Sequence, residues 1–101
     1  MDYDAFLSFH GVEFGLMEGT DGLLIVKTGS GGTIYGRENK YLTLATRIME
    51  RHNVSVMVSD NPLEIAPEEN MSTTMSVAAD YIASRNVVSS VFYGSITKPV
   101  G

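Results

Sequence analysis

The sequence contains no cysteine, and it has no long apolar segment. Without a thiol the chain cannot form disulfides, thiolate metal sites or a cysteine nucleophile. Its longest uninterrupted apolar run, residues 23–26, is far shorter than the roughly 20 residues of a membrane-spanning helix. The chain also starts with acidic and polar residues rather than with a basic segment and an apolar signal. These absences predict a cytoplasmic protein with no membrane partner.

Positive charge is scarce as well. The 7 Lys and Arg residues are outnumbered by 12 Asp and Glu residues, which gives a formal net charge of −5. Proteins that bind nucleic acid need clustered cations along the phosphate backbone, whereas here only Arg37 and Lys40 lie close together in a loop. The sequence therefore predicts no nucleic-acid partner, and its acidic surface favours solubility.

Length and composition fit one globular domain over residues 1–101. With 44% hydrophobic and 19% charged residues, the chain has neither the composition of a disordered segment nor that of a coiled coil. A chain of this size buries only about two-thirds of its unfolded surface, so we expect modest stability.

The first part of the chain has the pattern of a β-hairpin. Apolar residues alternate over 12–17, the Gly19-Thr20-Asp21-Gly22 segment is typical of a tight turn, and an apolar run follows at 23–27. The pattern predicts that these two strands are antiparallel neighbours.

Helices and strands alternate after the hairpin. The sequence predicts a helix at 38–52, a strand at 54–58, a polar loop, a helix at 71–85 that is capped near Asn70 or Ser72, and a strand at 87–93. Residues 94–101 are expected to form a turn and tail. The predicted apolar stripes are Leu42, Ala45, Ile48 and Met49 on the first helix, and Met71, Met75, Ala78, Ala79 and Ile82 on the second.

This alternation is typical of an α/β fold. Right-handed crossovers of 12–15 helical residues connect parallel strands, so the last three strands should form a parallel core beside the hairpin. We therefore predict an antiparallel hairpin leading into a βαβαβ unit, with helices on both faces of the sheet in three layers.

A glycine-rich loop at 29–36 follows the first strand of the parallel core. Ligands of parallel α/β sheets bind beyond the carboxyl ends of strands, and glycine lets backbone N–H groups approach an anion or oxyanion. The loop and the residues beside it are the best candidates for contacting a small anionic ligand. These candidates are Gly29, Ser30, Gly31, Gly32, Tyr35 and Arg37, together with Lys40.

Neither nucleotide-binding motif is complete in this loop. The dinucleotide fingerprint requires a third glycine where the chain has Ile34. The phosphate-binding loop requires lysine and a hydroxyl residue where the chain has Arg37 and Glu38. The acidic residues around 60–69 lack the spacing of a calcium loop and are expected to be solvated. No cofactor and no metal are predicted.

Residues 26–32, with the sequence VKTGSGG, resemble the strand and oxyanion loop of α/β-hydrolases. The order of elements over nearly the whole chain is similar to that family too. The resemblance implies a nucleophile elbow, Gly-x-Ser-x-Gly, after the last strand, where residues 92–95 read FYGS. The chain departs from the family at Thr28, which replaces a histidine, and at Ile96 and Lys98, which replace the nucleophile and the closing glycine.

Ser95 is the only serine near this degraded elbow and is thus the candidate nucleophile. A serine triad also needs a histidine base and an acid within hydrogen-bond reach. His10 precedes a strand and His52 ends a helix, so neither is positioned as a base for Ser95. The chain is therefore predicted to be a truncated α/β-hydrolase-like protein that is catalytically inactive in this form.

Two alternatives remain open. The first is a non-catalytic module that binds a small anion through the 29–36 loop. The second is an interaction protein, because an uncovered strand from residue 87 onward would pair with another copy and form a homo-oligomer.

Overall fold

The computed structural model describes residues 1–85 and the strand at 91–95. A single 3₁₀ turn, Arg37–Asn39, precedes the first helix. The other elements, in chain order, are β1 (Ala5–Phe9), β2 (Val12–Met17), β3 (Leu23–Lys27), α1 (Lys40–His52), β4 (Ser55–Ser59), α2 (Pro67–Arg85) and β5 (Val91–Ser95).

The five strands form one mixed sheet in the order β1-β2-β4-β3-β5. Strand β2 is antiparallel to both β1 and β4, whereas β3 is parallel to β4 and to β5. A mixed sheet with an antiparallel hairpin, parallel central strands and two helices agrees with the predicted α/β class. Among the described residues, neither helix combines the length and apolarity that crossing a membrane would require.

The predicted hairpin is wrong in its residues. The hairpin of the structure joins β1 to β2 through His10 and Gly11, which both have positive φ. Strands β2 and β3 are not neighbours, because β4 lies between them. The 19–22 segment instead passes the amino end of β4, where the N–H groups of Thr20 and Asp21 donate to the carbonyl of Asn53 at 2.7 and 2.9 Å. Turn residues predict that the chain reverses direction. They do not specify whether another strand lies between the two strands that the turn connects.

Two apolar clusters hold the helices to the sheet. In one, Val56 and Val58 of β4 pack with the buried residues of α1. In the other, the intervening residue Met57 packs with Ala78 of α2. Successive side chains of a strand point to opposite faces, so both faces of β4 contribute buried residues. Leu42 and Ala45 are buried as the predicted stripe of the first helix requires.

The second helix differs from its prediction at its start and on its buried face. It begins at Pro67, because proline suits the first helical position, where no N–H partner is needed. Met71 and Met75 are 40% and 43% exposed, and Ala79 is exposed too, so the predicted stripe holds only at Ala78 and in part at Ile82. The buried residues of α2 are Asn70, Thr73, Thr74 and Ala78.

The last strand continues further than the sequence pattern predicts. Gly94 and Ser95, expected in a turn, belong to β5 and pair with Val26 and Lys27 of β3. The remaining residues of the predicted strand and tail, 87–90 and 96–101, lie outside the described residues.

Candidate functional site

The carboxyl ends of the parallel strands meet at one edge of the sheet. Lys27, the last residue of β3, pairs in register with Ser59 of β4 on one side and with Ser95 of β5 on the other. Because β4 and β5 lie on opposite sides of β3, the two crossovers run in opposite directions. Ligands of open α/β sheets bind at such a switch point, so this edge is the candidate site.

A buried lysine lies at the centre of this edge. Lys27 is only 6% exposed. Its Nζ donates to Ser59 Oγ at 2.8 Å, to the Asp60 carbonyl at 3.1 Å and to Thr74 Oγ1 at 3.3 Å. It also donates to Asn70 Oδ1. An ammonium group has three protons, so these acceptors satisfy it fully and fix its position.

The charge state of Lys27 follows from two opposing effects. Burial lowers the pKa of Lys27 from its ordinary value near 10.5 to about 8, and the neighbouring Asp60 carboxylate opposes that change. Its hydrogen-bond acceptors also favour the protonated form. Lys27 therefore carries a buried positive charge at neutral pH.

This lysine explains the polar face of α2. Asn70 and Thr74 are four residues apart, so they lie on the same side of the helix, directed at Lys27. A buried charge requires polar partners, and the helix therefore buries these two residues in preference to Met71 and Met75. Sequence reasoning missed Lys27, although a lysine at the end of an apolar strand and an Asn-x-x-x-Thr pair were visible signals.

The glycine loop uses its backbone donors within the fold. The N–H of Gly29 donates to Tyr41 Oη at 3.1 Å, that of Gly31 to the Asn61 carbonyl at 2.8 Å, and that of Gly32 to the Gly29 carbonyl at 2.7 Å. The Asn61 N–H in turn donates to the Gly32 carbonyl at 3.1 Å. These bonds tie the loop after β3 to the loop after β4, so an anion here would be held mainly by side chains.

A pocket of about 340 Å³ adjoins this loop. The structure brings the predicted residues Gly29, Ser30, Gly31, Gly32 and Arg37 together there. Lys40 also lines the pocket, with its Nζ 5.0 Å from the centre of the Tyr41 ring. The complete lining is Gly29, Ser30, Gly31, Gly32, Thr33, Gly36, Arg37, Lys40 and Tyr41.

Tyr35 does not belong to this pocket. Its hydroxyl donates to Asp2 Oδ1 at 2.9 Å, a bond that raises the pKa of Tyr35, and its ring lies 5.7 Å from that of Tyr3. It lines a different depression beside β1, with Phe6 and Ile34. Tyr35 is therefore directed away from the glycine loop, because its ring packs toward the start of the chain.

The histidines are far from Ser95. His10 lies in the β1–β2 turn, and three strand spacings of about 4.8 Å, roughly 14 Å in all, separate β2 from β5. His52 ends α1, next to the amino end of β4, which is the opposite edge of the sheet. A serine triad requires hydrogen-bond contact between its members, and the strand order gives Ser95 no such partner from either histidine.

The acidic residues near the site are bound within the fold or solvated. Asp60 Oδ1 accepts a hydrogen bond from the Glu13 N–H at 2.9 Å, and burial raises the pKa of the Asp60 carboxyl. Over the described part of the chain, no group of three or more histidine or acidic side chains is arranged to hold a metal ion. No family model, curated protein or solved structure matches this chain. We therefore infer the function from the geometry of the site.

Proposed function

We propose that this chain is an α/β-hydrolase-like domain with three layers and a βαβαβ core, whose ligand edge lies at the carboxyl ends of β3 and β5. The order of elements supports the proposal: a hairpin, a strand followed by a glycine loop, a helix, a strand, a loop, a helix and a strand. The observation that supports the proposal most is the in-register pairing of Lys27 with Ser95. This pairing brings the loop after β3 next to the end of β5. In the family, those two positions supply the oxyanion loop and the nucleophile elbow.

We further propose that the 101-residue chain does not hydrolyse esters by a serine mechanism. Ile96 occupies the nucleophile position of the elbow sequence. Three strand spacings separate Ser95 from the hairpin turn that contains His10, and His52 belongs to the opposite edge. Without a base to accept its proton, a serine hydroxyl is a weak nucleophile at neutral pH.

The expected result with p-nitrophenyl acetate is release of p-nitrophenol at the rate of buffer alone. A Ser95→Ala variant should give the same rate, because the wild-type hydroxyl is not activated. The measurement is the initial rate against ester concentration, followed by the absorbance of the released p-nitrophenolate. Saturable turnover that the Ser95→Ala substitution abolishes would contradict the proposal.

A second candidate function is binding of a small anion in the pocket beside the glycine loop. One observation favours it: Arg37 and Lys40 both line the pocket, at the entrance to α1. Both side chains are exposed, so a ligand in the pocket can reach them from solvent. Arg37 can offer a planar pair of N–H donors to a carboxylate or phosphate, and Lys40 can add a second charge.

We expect inorganic phosphate or acetate to shift the backbone amide resonances of residues 29–37 in a saturable way. An Arg37→Ala, Lys40→Ala double variant should weaken binding about tenfold or more, since two charged contacts are lost. Arg51→Ala is the matched control, because Arg51 is exposed at the far end of α1. Equal binding by the double variant and the control would exclude this pocket as the anion site.

A further inference from the structure

Strand β1 forms the outer edge of the described sheet and exposes apolar side chains. It pairs with β2 alone among the described strands. Phe6, Leu7 and Phe9 are 53%, 39% and 44% exposed. Ala5–Phe9 contains no charged residue. An edge strand with free backbone groups, apolar side chains and no charge lacks the usual protection against pairing with another strand.

The apolar surface continues from β1 onto helix α2. Leu7 and Phe9 line a groove of about 450 Å³ together with Val77 and Tyr81. Asp80 and Arg85 are also part of the lining of this groove. The groove is on the side of the sheet that α2 covers, so a strand added beside β1 would extend the sheet and also cover part of the groove.

We propose that the outer edge of β1 pairs antiparallel with β1 of a second copy of this chain, around a two-fold axis at Leu7. Only this register pairs all five residues of the strand with one another. Leu7 then lies opposite Leu7 of the second copy, and Ala5 opposite Phe9. One face of the new ladder is thus formed by Ala5, Leu7 and Phe9 of both copies, the same residues that line the groove.

The distribution of charged residues allows this pairing, although the chain has a net charge of −5. No like charges are opposed within the ladder, because neither copy contributes any charged residue to it. The next residues outward are Asp4 and His10, and the same register sets the carboxylate of one copy opposite the imidazole of the other.

The symmetry of the contact limits the assembly to two copies. An isologous β1–β1 contact closes on itself, whereas pairing β1 of one copy with β5 of another leaves free edges and continues into a fibre. The sequence predicts association through the residues from 87 onward, and β5 is the opposite edge of the described sheet. The β1 proposal therefore predicts a different contact, one that ends at a dimer.

The exposed area indicates a weak dimer. A buried aromatic side chain covers roughly 150–250 Å², and the three side chains of β1 are only about half exposed. Each copy thus contributes a few hundred Å², below the roughly 600–1,000 Å² per partner of a stable interface. We expect dimers that form at high protein concentration and dissociate on dilution.

Cysteine cross-linking tests the register directly, because the natural chain has no cysteine. Residues opposite each other across an antiparallel pair have Cα atoms about 4.5–5.5 Å apart, within the range of a disulfide. A Leu7→Cys variant should therefore form a disulfide-linked dimer under mild oxidation. Phe6→Cys is the control on the same strand, because Phe6 of the two copies are diagonal neighbours about 7–8 Å apart. Leu63→Cys, an exposed leucine in a loop, is the control for random collision.

The expected order of cross-linking is Leu7→Cys well above Phe6→Cys, with Leu63→Cys lowest. Sedimentation of the cysteine-free chain should show a mass that rises from 11.0 kDa toward twice that value with concentration. A Leu7→Lys variant should stay at the monomer mass, whereas Leu63→Lys should behave as the wild type. Equal cross-linking of Leu7→Cys and Leu63→Cys, or a monomer mass at all concentrations, would overturn the proposal. Growth beyond a dimer would favour the β1–β5 contact instead.

Discussion

Replacing Asn70 with leucine is expected to lower the free energy of unfolding by about 3 kcal/mol, because Lys27 then keeps a buried charge without its amide acceptor. Asn70 Oδ1 is one of four acceptors around the Lys27 ammonium, and both residues are almost inaccessible to solvent. The leucine side chain fits the same volume but cannot accept a hydrogen bond. Urea denaturation followed by circular dichroism measures the change, and Ser76→Leu on the exposed side of the same helix should alter it little.

A double-mutant cycle separates this charge effect from simple loss of packing. Lys27→Met alone should cost about 2 kcal/mol, because the acceptors that the ammonium satisfied are left buried. The Lys27→Met, Asn70→Leu double variant should be at least about 1 kcal/mol more stable than the sum of the single changes predicts, since charge and acceptor are removed together. Strict additivity would mean that the two side chains do not act as a pair.

The same lysine should make stability depend on pH. Its pKa is lowered to about 8 in the folded protein from about 10.5, so the unfolded chain binds more protons between these values. The free energy of unfolding should therefore rise with pH above 8. Tyr3 acts in the opposite direction above pH 10, because burial raises its pKa. The rise is thus measured between pH 8 and 10 and should be absent in Lys27→Met; an unchanged slope in that variant would assign it to another group.

Gly19→Ala is expected to destabilise the fold by about 3 kcal/mol or more. A Cβ at this position would lie 2.5 Å from the carbonyl oxygen of Asn53 and 2.5 Å from the carbonyl carbon of Val54. Both are backbone atoms, so they cannot rotate away as a side chain would. The Gly19 N–H also donates to Ser55 Oγ at 2.9 Å, and this bond would be displaced with the backbone.

Gly31→Ala is the matched control for that substitution. Gly31 has a φ of +73°, but an added Cβ would approach only the Leu63 side chain, at 3.5 Å. Its expected cost is the conformational term alone, about 1 kcal/mol. Both changes are measured as the urea midpoint of unfolding. Equal midpoints for the two variants would show that the close passage of 19–22 beside β4 does not govern stability.

The regular elements follow from local patterns in the sequence. The predicted strands at 23–27 and 54–58 are short and consist mostly of aliphatic residues, and Leu42 and Ala45 recur at helical spacing. Hydrophobic period and segment length are therefore enough to predict these strands and the first helix. The sequence pattern does not predict strand β1, because its side chains are exposed on both faces and an alternating pattern arises only when one face is buried. The glycine loop was recognised because its position after a strand depends on chain order alone.

The arrangement of the candidate site depends on contacts between residues that are far apart in the sequence. Arg37 and the glycines are close in sequence, so their shared pocket could be predicted, whereas Tyr35, two residues before Arg37, turns toward Asp2. Lys27 and Asn70 are 43 residues apart, and no local pattern relates them. The methionines of α2 are a second example of this dependence. Hydrophobicity alone predicts that Met71 and Met75 are buried, whereas both are exposed in the structure.

By itself, the sequence determined the class of fold, the order of helices and parallel strands, and the loop after β3, because hydrophobic period and turn residues act over a few positions. Only the tertiary structure decided that β4 lies between β2 and β3. It also decided that α2 presents Asn70 and Thr74, and not its methionines, to the sheet. The physical reason is the same in both cases: the strand order and the partners of the buried charge are those that give the whole core its lowest free energy. Neither the strand order nor these partners can be determined from any short segment of the sequence.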